Sequence, residues 1–146
     1  MPQFSRHATV DWQGNLMEGK GAAKAGSGAF TLPVTFPSRI GEPGGATSPE
    51  ELIAAAHATC YAMVVAATMG KKGATVAKHT VTCTVTADKG DAGIKIITSK
   101  LELVAEGVTG MDTATFIETA KAAEANCPVS GALRGSLAIE VAVTVK

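Results

Sequence analysis

The chain has 146 residues, 13 basic against 13 acidic side chains, and a formal net charge of zero with no long run of either sign. That balance excludes nucleic acid and anionic membrane surfaces as main partners, since both need a concentrated positive field. Aromatic residues make up only 4%, which leaves no platform for stacking bases, while the 46% hydrophobic content is mostly Ala and Val. Small side chains bury little area each, so a second copy of the chain is expected to supply part of the missing burial.

The length fits one domain, residues 1–146. The N-terminal "MPQFSRHATVDWQG" lacks a basic region followed by an apolar one, so it does not read as a signal peptide, and the expected location is the cytoplasm. "HATVDW" alternates with Ala8, Val10 and Trp12 on one side, and "GNLMEGKG" turns into a second strand. "AFTLPVTF" reads as a third, with Pro33 marking an edge or a bulge. Residues 37–47, "PSRIGEPGGAT", are read as a loop because of their prolines and glycines.

Ser48, Pro49 and Glu51 then form a helix start: N-cap, first helical residue and capping-box partner. The helix is expected to end near Met69, with Gly70 as the stop and Lys71 and Lys72 just beyond. It is apolar around most of its circumference, which predicts burial on nearly all sides. Leu52 to Met69 is near the minimum length for a membrane span. Its alanine richness and its His57, Thr59, Cys60 and Tyr61 favour a buried core helix instead.

"AKHTVTCTVTAD" alternates strictly, placing Val81, Cys83 and Val85 on one face. "GIKIITSKLELVAEG" is a strand long enough to bend or hold a bulge. Asp112 caps a second helix that Pro128 must end or kink; a short helix through "VSGALRG" and a final strand follow. Strands, helix, strands, helix, strand is an α+β order.

Two cysteines invite chemistry. Cys60 sits mid-helix among alanines, where a small hydrophobe is the bland reading. Cys127 precedes the start of a helix, whose amides lower the pKa of a nearby thiol. Cys83, between valines on a strand face, reads as core. His57, one turn before Cys60, is either a thiol partner or a core histidine bonded to backbone. The cysteine spacing contains no CxxC or CxxH pair, so no metal site is expected.

Taken together, "SPEELIAAAHATCYAM" and, with its cysteine 67 positions further on, "CPVS" resemble the OsmC/Ohr family of peroxide-detoxifying thiol enzymes. The resemblance extends from "VDWQGNLMEGKG" to the closing strand. It implies antiparallel sheets wrapped around a long central cysteine-bearing helix in an intertwined homodimer. It also implies a peroxidatic Cys60, a resolving Cys127 and no metal, haem or flavin. The substrates are then an organic hydroperoxide and a thiol or dithiol reductant. A thiol buried among alanines has its pKa raised, so a cation is required. Arg39 matches the arginine of the OsmC branch, and Glu50 matches the glutamate that holds it as a bidentate pair. Lys20 stands where the Ohr branch has an arginine. Met63, Val64, Phe36, Ile40 and Ile53 are expected to line an apolar approach. A redox sensor and an inactive structural dimer remain as alternatives.

Overall fold

The structure is a computed structural model describing residues 2–146. Its contacts divide the chain into two compact units that meet at Leu52/Ile53, within the first turn of the long helix.

The first unit is an antiparallel three-stranded sheet in the order β1 (Ala8–Gln13), β2 (Lys20–Ala25), β3 (Thr31–Val34). Pro33 lies on an edge strand, as its missing N–H requires. The expected loop after β3 begins instead with a short helix, α1 (Phe36–Ile40). Thr35 caps it by accepting from the Ser38 amide at 3.1 Å, and Pro37 falls in the first turn, where a helix has no use for an N–H. A proline there starts a helix rather than forbidding one; the irregular stretch begins only at Gly41.

The long helix, α2 (Pro49–Lys71), starts where the sequence places it, with Ser48 Oγ accepting from the Glu51 amide at 3.1 Å. The return half of the capping box differs: the Glu51 carboxylate accepts from the Thr47 hydroxyl at 2.8 Å. The helix passes through Gly70 to Lys71, and Gly73, at φ +75°, makes the turn that ends it.

The second unit holds β4 (Thr75–Gly90), β5 (Gly93–Thr109) and β6 (Ala138–Val145) in that order. β4 and β5 form a long hairpin in which Thr86 faces Thr98 and Ala87 faces Ile96, so Ile97 is the extra residue of the expected bulge. β6 runs parallel to β5, so this sheet is mixed rather than purely antiparallel. A parallel neighbour needs a crossover, supplied by α3 (Thr113–Ala123), a turn of 3₁₀ helix (Glu124–Asn126) and α4 (Pro128–Leu133). Asp112 caps α3 by accepting from the Thr115 amide at 2.7 Å, as expected.

The core of this unit is set by two periodicities. On α2, His57, Tyr61, Val65 and Met69 are buried at intervals of four. On β5, Ser99, Leu101, Leu103 and Ala105 are buried at intervals of two. Phe116, Ala120 and Ala123 of α3 complete the cluster. The Tyr61 hydroxyl, fully buried, donates to the Ala120 carbonyl at 2.6 Å. The expectation of a helix buried on nearly all sides does not hold for a single chain: Ala55, Ala56, Thr59, Met63, Ala66 and Ala67 form an exposed stripe. α2 is long and apolar enough to cross a membrane by length and composition alone. Its other stripe is instead the centre of a folded core.

Candidate functional site

In the first unit, Arg39 stands in the last turn of α1 and Glu50 in the first turn of α2. Arg39 Nε donates to both Glu50 oxygens at 3.1 Å, and Nη2 donates to Oε1 at 2.7 Å. The guanidinium thus grips the carboxylate with two nitrogens, the fork geometry that lysine cannot offer. The arginine holds the Glu50 carboxyl below its ordinary pKa, against the opposing effect of burial. Beside the pair is a small cleft of about 110 Å³, lined by Trp12, Leu16, Val34, Thr35, Phe36, Arg39 and Pro49. Of the five residues expected around an apolar approach, only Phe36 lines this cleft. Ile40 and Met63 are exposed, Ile53 is half-buried, and Val64 packs against the core of the second unit. Trp12, Leu16 and Val34 were not legible as neighbours of Arg39, because they reach it through the pairing of strands.

In the second unit, Cys60 is half-buried on α2 and Cys127 is buried in the crossover. Both are free thiols, and Cys127 is near enough to Cys60 to raise its pKa. Two local features bring Cys127 there. The 3₁₀ turn tightens the end of α3, and Cys127 then takes an extended conformation (φ −79°, ψ 115°), which the following proline favours. Pro128 starts α4, and the next amide, that of Val129, lies near enough to Cys60 to favour its thiolate.

The Cys60 thiol is pushed up by burial first, then by Cys127; only the Val129 amide opposes. The helix start after Cys127 thus contributes an amide that favours the Cys60 thiolate, in line with the expected effect on a nearby thiol. Cys83 is half-buried against the core, and burial also raises its thiol.

His57 fits neither sequence expectation. It is fully buried, with Nδ1 2.6 Å from Ser99 Oγ and Nε2 2.7 Å from Ser130 Oγ. Burial holds its pKa below the ordinary value, so the ring is neutral near pH 7. The two serines could not be found from spacing, because they lie 42 and 73 residues away. The remaining charged pair of the crossover is Arg134 with Glu124, at 3.0 Å and 3.1 Å.

Comparison with known proteins identifies relatives of the chain. Peroxiredoxin OsmC of Escherichia coli (strain K12) is 39% identical over 132 residues, covering 88% of this chain and 90% of that protein. An organic hydroperoxide resistance protein from Elizabethkingia anophelis has the same fold, with TM-score 0.76 at 20% identity over the whole of both chains. An organic hydroperoxide resistance protein OsmC from Legionella pneumophila superposes with TM-score 0.73 at 23% identity, over 94% of this chain and 96% of that one. The profile of the OsmC-like proteins matches residues 41–142, a span that contains Glu50 and both neighbouring cysteines. The chain belongs to the OsmC-like protein family.

Proposed function

We propose that the protein is a thiol-dependent peroxidase that reduces organic hydroperoxides through Cys60 and Cys127. The observation that carries the reading is that Cys60 on α2 and Cys127 in the crossover are near enough for the Cys127 thiol to act on the charge of Cys60. The names of the relatives, a peroxiredoxin and organic hydroperoxide resistance proteins, agree with it.

In the first step the Cys60 thiolate attacks the terminal oxygen of ROOH. The O–O bond breaks, the departing RO− takes up a proton equivalent to the one Cys60 released and leaves as ROH, and Cys60 becomes a sulfenic acid, two electrons having passed to the peroxide. In the second, the Cys127 sulfur attacks the sulfenic sulfur; water leaves and the disulfide forms. A thiol or dithiol then returns both cysteines to the reduced state by exchange. The amide of Val129 favours the thiolate needed for the first step but does not outweigh burial. Arg39 is the cation assigned to complete that task, and Glu50 is assigned to hold the guanidinium in one orientation. The working protein is a cytoplasmic homodimer in which the exposed stripe of α2 is covered by the second copy.

The test is consumption of cumene hydroperoxide with dithiothreitol as reductant, beside a mass spectrum of the oxidised chain. Catalytic turnover and a Cys60–Cys127 disulfide are expected. Oxidation without turnover would instead identify a sensor, and two unreacted thiols an inactive scaffold.

A further inference from the structure

Three elements of the second unit each put one polar side chain where an apolar one would be expected, and a cysteine lies beside them. His57 interrupts the buried stripe of α2 that continues as Tyr61, Val65 and Met69. Ser99 is the polar member of the core face of β5. Cys83 on β4 pairs with Leu101 and is a diagonal neighbour of Ser99, and Ser130 is the buried residue of α4. These four are joined: Cys83 Sγ lies 3.2 Å from Ser99 Oγ, Ser99 bonds His57, and His57 bonds Ser130.

A neutral imidazole has one N–H and one lone pair, so one serine donates to the ring and the other accepts from it. With the proton on Nδ1, the ring donates to Ser99, Ser99 donates to the Cys83 sulfur, and Ser130 donates to Nε2. Every hydroxyl hydrogen then has a partner, and no buried side-chain nitrogen or oxygen among the described residues lacks one.

The position of Ser130 gives the chain of bonds its meaning. α4 has six residues and no side-chain cap, too short to hold a place by its own hydrogen bonds. Its first turn reaches α2 at two levels: the Val129 amide comes near Cys60, and the Ser130 hydroxyl bonds His57, one helical turn earlier. The first lies beside the sulfur that would be oxidised. The second does not involve a reacting atom and persists through the cycle. The Arg134–Glu124 pair is the other tether of α4, and Arg134 is half exposed.

We propose that His57 is a positioning residue which, by bonding Ser99 on one side and Ser130 on the other, fixes α4 to α2 and so holds Cys127 within reach of oxidised Cys60. The inference rests on the two-step reaction above for its purpose, but its geometry can be tested without peroxide. His57 then governs the resolving step and leaves the peroxidatic step alone.

Three variants of the full chain separate the possibilities. Ser130→Ala removes one oxygen from the tether. His57→Asn places its amide near the former Nδ1 and keeps the Ser99 side only, whereas His57→Gln places it near Nε2 and keeps the Ser130 side. The first measurement is single turnover with one equivalent of cumene hydroperoxide, following the dimedone adduct of Cys60 and the Cys60–Cys127 disulfide by mass spectrometry. The second uses no peroxide: the effective concentration of the two thiols, from the disulfide equilibrium in dithiothreitol buffers.

Ser130→Ala and His57→Asn are expected to form sulfenic acid at the wild-type rate. Disulfide closure and effective concentration should each fall about tenfold, the factor for one net hydrogen bond near the top of the usual range. His57→Gln should stay within about threefold of wild type in both. Wild-type closure in Ser130→Ala would overturn the proposal, as would equal losses in His57→Asn and His57→Gln, which would mean ring packing alone. Should the Asn and Gln variants not fold, Ser130→Ala decides alone. If hydroperoxide leaves wild-type Cys60 untouched, the peroxidase reading fails, and the dithiothreitol equilibrium still judges the tether.

Discussion

Consider Glu50→Gln. The side chains of Arg39 and Glu50 are 28% and 14% exposed. Two unit charges at about 4 Å attract by about 4 kcal/mol at an effective dielectric constant of about 20. Against this stand the partial desolvation of both groups and the partial ordering of their side chains, together about 2–3 kcal/mol. A surplus of about 1–2 kcal/mol remains, above the usual range for a solvated surface pair because two nitrogens share the load. The amide of the variant keeps a hydrogen-bond acceptor but loses the charge, and it leaves Arg39 free to swing about the end of α1.

The coupling energy is read from a double-mutant cycle with Arg39→Gln and Glu50→Gln, by urea unfolding at fixed protomer concentration. It should be about 1–2 kcal/mol at low salt and shrink as sodium chloride is added. In the same samples kcat/KM for cumene hydroperoxide should fall about 10- to 100-fold in Glu50→Gln, because a misdirected cation stabilises little. A coupling energy below about 0.3 kcal/mol, at the level of an ordinary exposed pair, would refute the reasoning. So would full activity in Glu50→Gln.

Three other outcomes follow from the same geometry. Cys60→Ser should abolish peroxide consumption, whereas Cys127→Ser should leave a sulfenic acid that dimedone traps; turnover in Cys60→Ser would end the assignment. His57 has a folded pKa below its ordinary 6.5, so the unfolded chain binds the proton first as pH falls. Its contribution is therefore whole above pH 6.5 and is lost below it, at up to about 1.4 kcal/mol per pH unit; the difference in unfolding free energy between wild type and His57→Gln, measured from pH 8 to 5, should show that slope. Met63, 67% exposed in the middle of the apolar stripe of α2, is the place to test whether the proposed dimer forms there. Met63→Glu should shift the mass in analytical ultracentrifugation from two copies to one, while an unchanged dimer would place the interface elsewhere.

What the sequence made legible was local. The start of α2 is written in four consecutive residues, the edge position of β3 in Pro33, and the start of α3 in Asp112, because caps and prolines act through their immediate neighbours. Alternation revealed the strands of the second sheet but not the direction of β6, since a period of two is the same for parallel and antiparallel neighbours. Ser99 and Ser130 had no visible signal beyond Ser130 lying in the motif with Cys127. Their role depends on three elements closing around one ring. The surrounds of α2 were overestimated for a related reason: apolarity around a helix says that something covers it, not which chain does.

The parallel seating of β6 also has a consequence for the order in which the molecule assembles. β4 and β5 are joined by a tight turn at Asp91–Ala92, so their hairpin closes a very small loop. β6 can reach β5 only after residues 110–137 have been wound into helices, and loop-closure entropy delays such contacts. Cys127 lies within that segment. The hairpin can thus pair without the crossover, which is the segment that holds Cys127. The order of the two thiols along the chain has a further consequence: a nascent chain carries Cys60 before it carries Cys127, the residue proposed to resolve it.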